Sequence, residues 1–201
     1  NGTNYRANAG AFTVQGPVTL IGATSINAFD RVTFMDTVGA TPGGSLSVAS
    51  TNGTTFNGDV GYASMPLDSL TVLGPTIFGP SMSIVQTTGA IDLGGNVDMQ
   101  FAGGTTLYSA AGPLRATGDI TGLGGVALYG ASINVRNVRN NDPAGSVAFS
   151  ATGDVNFNDA TGSVIVLNAG GNATATGAVE TDLLAGGVAG EAQRQDATRD
   201  V

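Results

Sequence analysis

In the stretch GGSLSVASTNGTTFNGDVG, residues 43–61, Asn57 and Asp59 carry side chains of a type that could do chemistry. Each offers oxygen to a cation, and a carboxylate also serves as a base. Both residue types also form turns. A second candidate is DVNFNDATG, residues 154–162. It sets Asp154, Asn156 and Asn158 at positions one, three and five, as in an EF-hand loop. Position six is Asp159 where Gly is needed, and position twelve is Ile165 where Glu is needed. In a strand the same spacing puts the three polar residues on one face and Val155 and Phe157 on the other. The calcium site is therefore the weaker reading, and no metal or other cofactor is expected. Paired carboxylates can cleave glycosidic bonds when they face each other across a cleft. Asp92, Asp98, Asp119 and Asp154 would qualify if their chain segments lie in register. Arg136 and Arg139, in NVRNVRNNDP (134–143), form the one basic cluster. They suit an anionic sugar, or a local pair with Asp142.

Composition narrows these options. His, Cys and Lys are absent, and Asp and Glu outnumber Arg by 15 to 7. Without His the commonest acid–base group and metal ligand is missing. Without Cys there is no disulfide framework or thiolate chemistry. An acidic chain with scattered Arg offers no stripe for a phosphate backbone, so no nucleic-acid partner is expected. No apolar run reaches 18 residues, so no membrane-inserted helix is expected. The chain begins at Asn1 without a signal peptide and reads as a mature or excised segment of a longer precursor.

The elements that would position such residues are short strands. FTVQ (12–15), RVTFMD (31–36), SLSVAS (45–50), SLTVLG (69–74), SMSIVQ (81–86), VALYG (126–130), SVAFSA (146–151) and SVIVLN (163–168) alternate apolar and polar side chains. Turn residues such as GG, NG and TG separate them. Similar runs recur at loose intervals of roughly 17–24 residues, the mark of a solenoid. An antiparallel sandwich is the competing all-β fold, but the repeats favour stacked coils. The expected architecture is all-β, a right-handed parallel β-helix over residues 12–177, with Gly-rich corners. Residues 1–11 read as a polar lead-in. Residues 178–201 read as a polar tail or cap, because the alternation fades at ATATGAV. The expected interior holds Val48, Phe56, Leu70, Val72, Ile84, Leu107, Leu128, Phe149, Val155, Phe157 and Val164.

A small polar residue followed by Gly-Asp-Val or Gly-Asp-Ile recurs within this pattern. Asp59, Asp119 and Asp154 therefore read as turn formers that bond their own backbone two residues on. The following Val or Ile should point inward. Asn57-Gly58 is a turn signal that asks for positive φ at Gly58.

GSLSVASTNGTTFNGDVGYASMPLDSLTVLGPTIFG resembles the degenerate repeats of filamentous-haemagglutinin-like bacterial surface adhesins. The resemblance covers most of residues 12–177, without the NPNG-like secretion signature of that family. It implies a non-enzymatic structural rod of an extracellular or cell-surface bacterial protein, serving adhesion, biofilm or matrix, with host glycans or matrix as partners. It brings no catalytic residues. Two alternatives stand beside it: a filament or sheath subunit that stacks on itself end to end, and a carbohydrate-binding or carbohydrate-cleaving β-helix.

Overall fold

Glycine and aspartate break the alternating runs every few residues, so no strand grows long enough to turn back on itself. Each strand instead bends through a corner and finds its partner one coil later. The computed structural model describes residues 3–188 and 192–194. It is a parallel β-solenoid of about 9 turns, with ~21 residues per coil and no helix among the described residues. Register spacings run from 18 residues, Val155 to Ala173, through 24, Leu46 to Leu70, up to 25 at the Val60–Val85 bridge. Every pairing between strands is parallel.

Among the described residues three sheets wrap the rod. The first has ten strands, from Thr3–Ala7 through Leu46–Ser50 and Val155–Phe157 to Ala192–Arg194. The second has nine, from Phe12–Val14 to Val179–Glu180. The third begins with Val18–Leu20 and Val38–Ala40. It passes through the bridges of Val60 to Val38 and Val85, and continues as six strands from Ile84–Thr87 to Leu183–Val188. Strands thus extend beyond 12–177 on both sides. Thr3–Ala7 pairs with Thr24–Ala28, and Ala173–Ala175 with Ala192–Arg194. In ATATGAV the alternation survives, because Ala173 and Ala175 are the buried members. Residues 1, 2, 189–191 and 195–201 lie outside the described residues.

Stacking in register turns each inward position into a column. In the second sheet Phe34, Phe56 and Phe78 pair directly in register. The Phe34 and Phe56 rings stack 4.9 Å apart with planes 4° from parallel. Across the interior, Phe149 of the third sheet stacks on Phe157 of the first at 4.8 Å. Burial of these columns supplies the main drive for folding.

Nine of the eleven expected interior residues are buried; Ile84 and Val164 are not. Their neighbours Val85 and Ile165 take the inward places. At 81–86 a corner at Ser83 shifts the phase, so Met82 and Val85, three apart, both face inward. At 163–168 four consecutive apolar residues leave the phase open. Pairing of Ile165 with the buried Val147 decides it.

Candidate functional site

The Gly-Asp-Val and Gly-Asp-Ile signature occupies three different corners of the coil. Asp154 precedes the first-sheet strand Val155–Phe157, and Asp119 precedes the second-sheet strand Ile120–Gly122. Asp59 precedes Val60, which bridges within the third sheet. The following residues Val60, Ile120 and Val155 are all fully buried. The signature is therefore a corner device rather than a marker of the coil period.

These aspartates bond to the next coil, not to their own turn. The Asp59 Oδ1 accepts from the Ser83 amide at 2.7 Å, the Ser83 hydroxyl at 3.1 Å and the Ile84 amide at 3.0 Å. The Asp154 Oδ1 accepts from the Asn172 amide at 2.8 Å, and the Asp159 Oδ1 from the Ala178 amide at 2.7 Å. At the corner between first and second sheets a ladder of side chains climbs the rod. Asn96 Oδ1 accepts from the Asp119 amide, and Asp119 Oδ1 accepts from Asn137 Nδ2. Asn137 Oδ1 in turn accepts from Asn158 Nδ2 at 2.9 Å. Sequence reading missed this ladder because its members are 18–23 residues apart. The expected bond to the backbone two residues on is found instead at Asp142, whose Oδ1 accepts from the Ala144 amide.

No non-glycine residue has positive φ among the described residues, and Gly58 is not among the glycines that do. Gly58 is needed for another reason. A Cβ there would sit 2.7 Å from the Asp36 carbonyl carbon and the Thr37 nitrogen, on the preceding coil. Gly53 of the neighbouring Asn52-Gly53 carries the positive φ, at 96°. Asn57 lies at the same corner, with its Nδ2 3.6 Å from the Met35 sulfur.

The calcium candidates are placed as strand geometry demands. Asn156 lies on the outer row of the first sheet, opposite Asn134 and Thr174. Asn158 is held by Asn137, Asp159 and Thr176. Among the described residues no group of three or more acidic side chains is gathered for a metal. The four aspartates considered for glycoside cleavage are dispersed. Asp92 lies on the outer row of the first sheet and Asp98 on that of the second, while Asp119 and Asp154 hold two different corners.

The arginines do not pair with Asp142. Arg136 Nε lies 3.5 Å from Asp119 Oδ1, and Arg115 Nη1 lies 3.4 Å from Asp92 Oδ1. All four side chains are well exposed, so each pair stabilises by at most about 1 kcal/mol. Arg139 stands on the outer row of the second sheet between Thr121 and Thr161. It shares a shallow depression with Asp119 and Asp159, whose charges offset its own.

Tyr5, Phe12, Val14, Val18 and Leu20 line a half-open cavity of about 540 Å³ at the first coil. Among the described residues no coil lies beyond it.

Removal of one corner acceptor should be measurable. Asp59→Ala strands two part-buried amides and is expected to lower stability by about 1–3 kcal/mol. Asp59→Asn keeps an acceptor oxygen and should recover much of that loss. Urea unfolding of the three proteins checks this; equal stability of Asp59→Ala and the parent would show that the bonds do not hold the coils.

Compared with known proteins, the chain matches no family model, no curated protein and no solved structure.

Proposed function

We propose that the chain is a non-enzymatic rod segment of an extracellular bacterial surface protein, serving adhesion, biofilm or matrix. The observation that carries this reading is the use made of the polar side chains. The corner carboxylates and amides that could have been ligands or catalysts are bonded to the next coil. Chemistry of this kind lengthens and stiffens a rod. The outer rows fit the same role: Ser25, Ser47 and Thr71 on the first sheet, Thr13, Thr33 and Thr55 on the second. The adhesin-like repeats in residues 12–177 add the bacterial surface setting.

Display of the chain on a non-adherent bacterium is the test. Retention under flow on host matrix or glycan surfaces should rise above that of a display control. In parallel, incubation with plant and bacterial polysaccharides should release no sugar. Sugar release would overturn the structural reading in favour of a carbohydrate-cleaving β-helix.

A second reading is a filament or sheath subunit that stacks end to end. The first described coil of one copy would then pack on the last described coil of another, and such heterologous contacts grow without closing. Light scattering over a concentration series should then show species that lengthen steadily; a ceiling at one or two copies removes this reading.

A further inference from the structure

We infer that the outer face of the third sheet, from Ile84 to Gly187, is a docking surface on which a second copy of the chain lies side by side.

The strand register defines the face. Its central row is Ile84, Thr106, Ala127, Ala148, Val166 and Ala185. The flanking row is Gln86, Tyr108, Tyr129, Ser150, Asn168 and Gly187. Ser146, Val164 and Leu183 form a third row, in which Leu183 is 56% exposed. None of these residues is charged. The other two sheets differ, since Asp92 and Arg115 stand on the outer row of the first and Asp98 and Arg139 on that of the second.

The molecule covers this same face elsewhere with its own chain. Gly39 lies on the third sheet but is buried, because Tyr62 and Met65 sit over it. An added Cβ at Gly39 would stand 3.1 Å from the Met65 Cβ and 3.2 Å from the Tyr62 ring. Past Thr87 no such cover exists among the described residues, and the rows stand half exposed.

Charge and area select the occupant. The chain carries a net charge of -8, so two copies that meet through their other faces bring carboxylates together. The charge-free face is where copies approach without that cost. Its small residues, Ala127, Ala148 and Thr106, let two sheets pack at the usual spacing of about 10 Å. Six strands about 4.8 Å apart and five residues about 3.3 Å apart span roughly 500 Å² per copy. Two copies bury about 1,000 Å², the lower bound for a specific contact. The pairing is therefore a weak two-fold dimer for this chain, and it strengthens wherever longer rods lie in register. It is lateral and closed, distinct from end-to-end growth, and it does not depend on the adhesin reading.

Sedimentation velocity on the full chain up to about 1 mM is expected to show a reversible monomer–dimer equilibrium that stops at the dimer. Ala148→Glu should weaken it at least about tenfold, and Thr55→Glu on the second sheet should not. Because the chain has no Cys, single cysteines give a readout independent of those variants. Ala148→Cys should form disulfide-linked dimers under mild oxidation well ahead of Thr55→Cys. A strictly monomeric chain, equal weakening by the two glutamates, or equal cross-linking at the two positions overturns the proposal. So does open-ended growth that Ala148→Glu leaves untouched, which is the signature of end-to-end stacking.

Discussion

Phe157→Asp is expected to leave no folded protein. The side chain is 4% exposed, and its ring lies flat against Phe149 with planes 9° apart. A carboxylate at that place has neither water nor a cation to face, and burying it unpaired costs far more than the rod's margin. The milder change Phe157→Ala should cost roughly 3–5 kcal/mol, the loss of transfer energy plus an unfilled cavity. Phe149→Ala should cost a similar amount. The double variant should cost less than the sum of the two, by about 0.5–1.5 kcal/mol, because the stack is counted in both single changes. Damage should start in the coils around residues 146–169, since each coil leans only on its neighbours. Circular dichroism during urea unfolding reads all of this. A Phe157→Asp protein that melts like the parent would mean that Val155–Phe157 presents its other face to the interior.

The alternation that places Phe157 was legible in the sequence, because a period of two assigns inside and outside with no knowledge of partners. It failed in three runs. SVIVLN offers four consecutive apolar residues, and pairing of Ile165 with Val147 settles the phase. SMSIVQ alternates at its start, but the corner at Ser83, whose amide donates to Asp59 Oδ1, shifts the phase so that Met82 and Val85 both face inward. ATATGAV looks like the end of the pattern because Ala is a faint apolar signal; the stacked coil still buries Ala173 and Ala175.

The candidate site was legible as residue types and not as geometry. The corner position of Asp59, Asp119 and Asp154 follows from Gly-Asp-Val and Gly-Asp-Ile, yet their partners lie in another coil. A local motif cannot name a partner 18–25 residues away unless the coil length is known, and that length varies. The same gap explains the arginines. Asp142 is near Arg136 in sequence, but stacking brings Asp119 to it instead.

Gly61→Ala is expected to be a severely damaging single-methyl change, at roughly 2–5 kcal/mol. Two effects add. Gly61 has φ of 63°, in the left-handed region where a side chain is strained. An added Cβ would also run into the Gln86 carbonyl oxygen of the following coil. That oxygen already accepts from the Leu67 amide at 3.2 Å, and Gly61 donates to the Val38 carbonyl at 2.6 Å. The turn is thus pinned to coils on both sides and cannot back away. Gly61 also launches the excursion that carries Tyr62 and Met65 over Gly39, so its displacement should uncover the third sheet at the second coil. Gly43→Ala separates the two effects. Gly43 has φ of 88°, but nothing stands within 4 Å of its added Cβ. It should cost only the conformational strain, about 1–2 kcal/mol. The difference between the two variants in urea unfolding measures the clash alone. Equal losses at the two positions would mean that the coil from Val60 to Gln86 yields to the methyl group, and that the tight approach of Gly61 to the next coil is not a constraint on the sequence.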